Sequence, residues 1–316
     1  MGDGDAAALI ELLPGRCDDM RAELFLRVAT VDASSAVAAR VTGTLTGPHR
    51  GRDTTLPTTG RLQPTVTPGV ARALLTEPAY WTPDLPNLYR LEATIEAAAT
   101  PPRVVRRVLG LRRLGVRGRS LWLDGRRWVP RAVAAAGITE IDACKPAALA
   151  AVLMEPDEAL LARADEIGVA VLARLADSAT DDPTAVADRI ATWSAHASVA
   201  IAILPQDTPA PTVSAIAQAV VSRKGTLLLA ATVAGTSPPP TRPAGIDIFI
   251  VALGDDESPH DAWRDGGGAP LVAWRRTAAS PATGRAPCDA LQASLAGWRS
   301  LGGEARPWDW AGYVVG

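Results

Sequence analysis

Trp81-Thr82-Pro83-Asp84-Leu85-Pro86-Asn87-Leu88-Tyr89-Arg90-Leu91-Glu92-Ala93-Thr94-Ile95-Glu96 passes from a proline-punctuated approach into strict alternation. Tyr89, Leu91, Ala93 and Ile95 take one side of the repeat; Arg90, Glu92, Thr94 and Glu96 take the other. Successive strand side chains point to opposite faces, so this pattern reads as a half-buried antiparallel strand. Toward the N-terminus, Leu24, Leu26 and Val28 share one face, and Val37, Ala39 and Val41 share another. Gly47-Pro48, Leu56-Pro57, Gln63-Pro64 and Thr67-Pro68 punctuate these runs and read as turns. Short strands separated by turns predict a small sandwich of about 100 residues.

Beyond Gly118 the texture changes. Ser120–Leu123 and Arg127–Val129 flank Asp124-Gly125, a two-residue hairpin pattern. Eight apolar runs then follow: Val129–Val133, Leu149–Met154, Val169–Leu175, Val199–Leu204, Thr226–Ala230, Ile246–Val251, Leu271–Trp274 and Gly312–Val315. Between them lie amphipathic helical stripes, at Val186, Ile190 and Trp193, at Val213, Ile216, Ala217 and Val220, and at Leu291, Leu295 and Trp298. Apolar strands alternating with such helices imply a parallel sheet covered by helices. Eight of them fit a compact (β/α)8 barrel, and periodicity alone leaves an open doubly wound sheet as the alternative. Thr236–Pro243 reads as a proline-rich loop, and Gly266-Gly267-Gly268 as a turn without the Lys-Ser/Thr of a phosphate loop.

Several segments carry a family likeness. Trp81–Tyr89 resembles the W-[ST]-P-x-x-P-x-L-Y segment of glycoside hydrolase family 2, Gly110-Leu111-Arg112 its G-[FL]-R, and Leu121–Gly125 its hairpin entering the barrel. Asp165–Val169 is similar to the segment before barrel strand 3, and His196-Ala197-Ser198-Val199 to the H-P-S-[VI] before strand 4. The motifs span nearly the whole chain in the family's order. The resemblance implies an immunoglobulin-like β-sandwich over residues 1–115 and a TIM barrel over residues 116–316. Against that pattern the chain reads as truncated, lacking the N-terminal sugar-binding sandwich of many members and stopping near strand 8.

The same resemblance exposes a chemical gap. Retaining glycosidases need two carboxyl groups about 5 Å apart, one a nucleophile and one an acid/base. The family's Asn-Glu pair after strand 4 falls on Gln206-Asp207 when counted from His196, so Asp207 takes the acid/base position with a side chain one methylene short. Misplacement of about 1 Å is poorly tolerated in catalysis. The nucleophile, five residues after the proline that opens strand 7, falls on Arg275 after Pro270-Leu271-Val272-Ala273-Trp274. A guanidinium is cationic at every relevant pH and opposes an oxocarbenium ion. The family's Asn-x-x-Arg near strand 2 reads Ala150-Ala151-Val152-Leu153, and Pro130-Arg131-Ala132-Val133 lacks its glycine.

Each candidate also has a plainer reading. Asp207 fits an ordinary loop near Pro205 and Pro209. Arg275 suits either a carboxylated ligand or a structural ion pair with Asp177 or the Asp255–Glu257 run. Trp263, Trp274, Trp308 and Trp310 suit a sugar-stacking platform or ordinary packing. His196 reads as a hydrogen-bonded structural residue, and His49 and His260 as solvated loop residues.

Composition narrows the classes. The 316 residues are 47% hydrophobic with a net charge of -2 and no run of basic residues, so neither nucleic acid nor an anionic membrane is an expected partner. The opening MGDGDAAALIELLPG lacks a basic n-region and a long apolar core, and no stretch approaches the roughly 20 apolar residues of a membrane span. The cytoplasm is the expected location. Cys17, Cys144 and Cys288 make neither a disulfide framework nor a metal spacing, and no cofactor motif is present. The expectation is a catalytically silent family 2-like protein with a carbohydrate ligand, a scaffold role or a protein partner, and with no defined oligomeric state. One alternative is an active O-glycosyl hydrolase pairing Asp207 with Asp255, Asp256 or Glu257. Another is a subunit docking through Trp308 and Trp310.

Overall fold

A computed structural model describes residues 10–28, 40–50, 56–97, 100–177, 182–264, 268–300 and 310–316. The chain divides into two compact units, Met1–Arg112 with Ala195–Ala197, and Arg113–Ser194 with Ser198–Gly316.

The first unit is antiparallel β. Its strands are β1 (Ile10–Cys17), β2 (Arg21–Val28), β3 (Arg40–His49), β4 (Thr58–Pro64), β5 (Val70–Thr76), β6 (Leu88–Ala97) and β7 (Thr100–Leu109), in the order β1-β2-β5-β4-β3-β6-β7. β4 pairs with β3 through Thr58–Leu62 and with β5 through Gln63 and Pro64, so one strand passes from one layer to the other. Leu24, Leu26, Ala73 and Leu75 close on Val41, Leu45, Tyr89, Leu91 and Ile95 to make the core. The alternation seen in the sequence is therefore the inward face of β6. Two turn readings are corrected. Gly47-Pro48 lies inside β3, where the pairing with β6 shifts between Thr46 and His49, and Gln63-Pro64 closes β4. Val37 and Ala39 lie outside the described residues.

The motif segments have structural jobs here. Asn87, 2% exposed, donates from its side-chain amide to the Tyr80 carbonyl at 2.8 Å, and the Ala79 N–H donates to the Tyr89 hydroxyl at 2.8 Å. Gly110 has no room for a side chain: a Cβ there would lie 2.5 Å from the Ala197 Cβ and 3.1 Å from the Trp81 Cβ.

The second unit opens with a small sheet, β8 (Leu114–Arg117), β9 (Ser120–Leu123) and β10 (Arg126–Trp128). Asp124 and Gly125 both take positive φ, 48° and 74°, as a two-residue hairpin turn of this hand requires. Eight parallel strands then close a barrel: β11 (Arg131–Ala134), β12 (Ala150–Met154), β13 (Val171–Arg174), β14 (Val199–Leu204), β15 (Leu228–Ala234), β16 (Ile248–Leu253), β17 (Leu271–Arg275) and β18 (Gly312–Val315). β18 pairs with β11, which excludes the open sheet. Every apolar run of the sequence contains one of these strands or overlaps it. The helices are α1 (Ile138–Cys144), α2 (Glu158–Ile167), α3 (Pro183–Ser194), α4 (Ala210–Val220) and α5 (Arg285–Ser300).

Strand alternation splits the barrel into two sets of side chains. Ala151, Leu153, Val171, Ala173, Leu229, Phe249, Val251, Leu271 and Ala273 pack outward with the helix residues Ile141, Leu161, Ile190, Ile216 and Leu291. Val152, Leu172, Ile203, Leu228, Ile250 and Val272 have the opposite parity, are buried and fill the interior. No helix among the described residues is long and apolar enough to cross a membrane.

Candidate functional site

The inward parity, followed to the C-terminal ends of the strands, leads to an open cavity. Arg174 ends β13, Thr232 lies on β15, Trp274 lies near the end of β17 and Gly316 follows β18; all four continue the inward set. With Asp177, Gln206, Asp207 and Arg276 from the following loops, they line a space of about 400 Å³. That is the face on which barrels of this kind carry their sites, and the volume suits one small ligand.

Most of the wall residues are held in place. Arg174 donates from Nη2 to the Asp177 carboxylate at 3.0 Å and lies over the Trp274 ring, 5.6 Å from its centre. The Trp274 Nε1–H donates to the Gly316 carbonyl at 2.8 Å, and the Thr232 hydroxyl donates to the Leu204 carbonyl at 2.7 Å. Arg276 reaches across from the loop after β17 and donates from Nη2 to the Gln206 side-chain oxygen at 2.7 Å. Asp207 sits exposed in the turn after β14. Below the rim, Glu155 accepts from Arg189 at 2.7 Å and from the Ala176 N–H at 2.9 Å, joining the ends of β12 and β13 to α3.

Asp207 and Trp274 are therefore brought together at one cavity, whereas the other candidates fall elsewhere. Arg275 has the outward parity of Leu271 and Ala273 and does not line the cavity; its Nη2 makes a long 3.5 Å contact with the Glu257 carbonyl. The suggested ion pair with Asp177 goes instead to Arg174. Asp255, Asp256 and Glu257 are exposed, none lines the cavity, and Glu257 accepts from the Gly254 N–H at 2.7 Å. Trp263 is corrected outright as a sugar platform: it is fully buried, packs edge-on against Phe249 with ring centres 5.9 Å apart, and donates to the Ser237 carbonyl at 2.8 Å. Trp310 is 3% exposed in the same core. Trp308 lies outside the described residues. Trp274 itself is 8% exposed, with Arg174 over its ring, so it is a wall of the cavity and not an open stacking shelf.

No motif marks Arg174, Thr232 or Gly316, and the sequence suggests Asp177 only as a partner for Arg275. The usable pattern was parity: counting in twos from the buried interior residues of each strand reaches these positions.

No family model matches the sequence, and no curated protein matches it. Solved structures do share the fold. The β-glucuronidase of Parabacteroides merdae superposes with a TM-score of 0.65 at 13% identity, covering 97% of this chain and 46% of that one. A putative β-galactosidase from Bacteroides fragilis gives 0.64 at 13% identity, covering 98% and 54%. A family 2 β-galacturonidase from Eisenbergiella tayi, bound to galacturonate, gives 0.60 at 13% identity, covering 97% and 64%. This chain thus spans under two thirds of the length of each of these three structures, and at such identity the likeness is one of fold.

Proposed function

We propose that this chain is a catalytically silent relative of the family 2 glycoside hydrolases, and that its barrel mouth holds a single sugar ring without cleaving it. The hydrogen bond from Arg276 to Gln206 carries the reading. The resemblance puts an acid/base on Asp207, in the turn after β14, and a nucleophile on Arg275, the last residue of β17. What meets across the mouth beside those positions is the Arg276 guanidinium and the Gln206 amide. A cation there disfavours the oxocarbenium character that both retaining and inverting routes share. Two carboxylates remain among the described cavity residues, Asp177 and Asp207, and Asp177 is held by Arg174. Fixed donors and acceptors around a small cavity, with one aromatic wall, suit the hydroxyl groups of a monosaccharide.

Calorimetric titration with galactose, glucose and galacturonate tests the binding half. Saturable heat for at least one sugar, lost in Arg276→Ala and in Asp207→Ala, is the expected result. Absence of heat for all three removes the sugar-binding reading.

A further inference from the structure

The wall of the mouth cavity runs on, past its polar lining, into an apolar sector. Followed upward, the inward parity of β11 and β12 ends on Ala134 and Met154. Both adjoin the cavity. A Cβ added at Gly316, which lines it, would lie 3.0 Å from the Ala134 Cβ. Met154 is the register partner of Arg174, another lining residue, on the neighbouring parallel strand. Ala134 is exposed and Met154 is 49% exposed, although Ala132 and Val152 beneath them are buried. The turn after β11 adds exposed Ala136, and α1 opens on Ile138, 48% exposed. The acids nearest in sequence are engaged elsewhere: Glu140 accepts the Ala136 N–H at 2.5 Å, and Glu155 accepts from Arg189 and from the Ala176 N–H. The resemblance would set Asn-x-x-Arg on β12; here Ala150–Met154 is apolar throughout. The mouth is thus two-sided, with charged and amide groups after β13, β14 and β17 and apolar surface at the ends of β11 and β12.

We propose that the ligand of this site is a glycoside with an apolar aglycone, its sugar ring among the polar groups and its aglycone over Ala134 and Met154. The proposal rests on the sugar-binding reading of the cavity and names the ligand class. A free sugar leaves the apolar sector in water, whereas an apolar aglycone releases that water, and the release favours binding. Methionine, unbranched and polarisable, adapts to an aromatic ring or to an alkyl chain. A protein partner is the less suitable occupant: Ala134, Ala136, Ile138 and Met154 make a patch far smaller than the about 800 Å² that a stable interface takes from each side.

Calorimetric titration compares the methyl, phenyl and octyl β-glycosides of galactose, glucose and galacturonic acid, the octyl compounds below their micelle concentrations. For at least one sugar, the phenyl or the octyl glycoside is expected to bind about tenfold more tightly than the methyl glycoside. A gain with phenyl alone marks an aryl ligand, and a gain with octyl alone an alkyl one. In Met154→Gln the ratio falls toward one; Met154→Leu, which keeps an apolar side chain, retains it. Circular dichroism confirms that both variants are folded. The proposal is overturned if methyl, phenyl and octyl glycosides bind equally, or if the ratio survives Met154→Gln; either result leaves the sugar-binding reading standing. Heat from none of the glycosides removes both.

Discussion

Arg276 and Gln206, seventy residues apart in sequence, share a 2.7 Å hydrogen bond across the barrel mouth. That bond ties the loop after β14 to the loop after β17. Cutting it with Gln206→Ala frees one guanidinium on an exposed rim, so stability falls by only about 0.5–1.5 kcal/mol. Urea denaturation measures this, and a sugar titration of the same variant shows whether the rim position of Arg276 sets affinity.

Trp263 gives the opposite case. Its indole is fully buried against Phe249, so Trp263→Ala removes a large core volume and costs about 3–5 kcal/mol. A drop in the urea midpoint of that size is expected. A near-neutral effect would mean the ring is not packed as described.

Asp165, 5% exposed on α2, accepts the Ser198 N–H at 2.6 Å just before β14. Asp165→Ala strands that buried donor and costs roughly 1–3 kcal/mol, whereas Asp165→Asn keeps an acceptor and costs less. The ordering of the two variants in urea is the check.

Burial raises the Cys144 thiol to about 12, and raises that of Cys288 to about 11. Neither supplies thiolate near neutral pH, and reaction with a thiol reagent needs that form. In the native protein Cys17, which is partly exposed, is expected to label alone; all three label in denaturant. Native labelling of three thiols would contradict the packing around α1 and α5.

The fold was largely legible because its information is local. Near-continuous apolar runs bounded by helical stripes mark buried parallel strands, and Asp124-Gly125 marks its own turn by needing two positive φ values. Gly47-Pro48 misled because proline punctuates most sequences but also fits a strand at an irregular position, as in β3. The site was half legible. Counting from motifs found Asp207, yet it put Arg275 at the mouth, where strand parity turns that residue outward and offers Trp274 and Arg276 in its place. Asp177 carries no motif, although it lies only three residues after Arg174, its ion-pair partner.

The catalytic question has a direct assay. The purified chain is incubated with a panel of 4-nitrophenyl β-glycosides, including the galactoside, glucoside, glucuronide and galacturonide, alongside Asp207→Asn and Asp177→Asn. The account predicts no release of nitrophenol above buffer for any of the three proteins. Turnover by the parent that disappears in either variant would contradict it, because a carboxylate at the mouth would then be acting on the glycosidic bond.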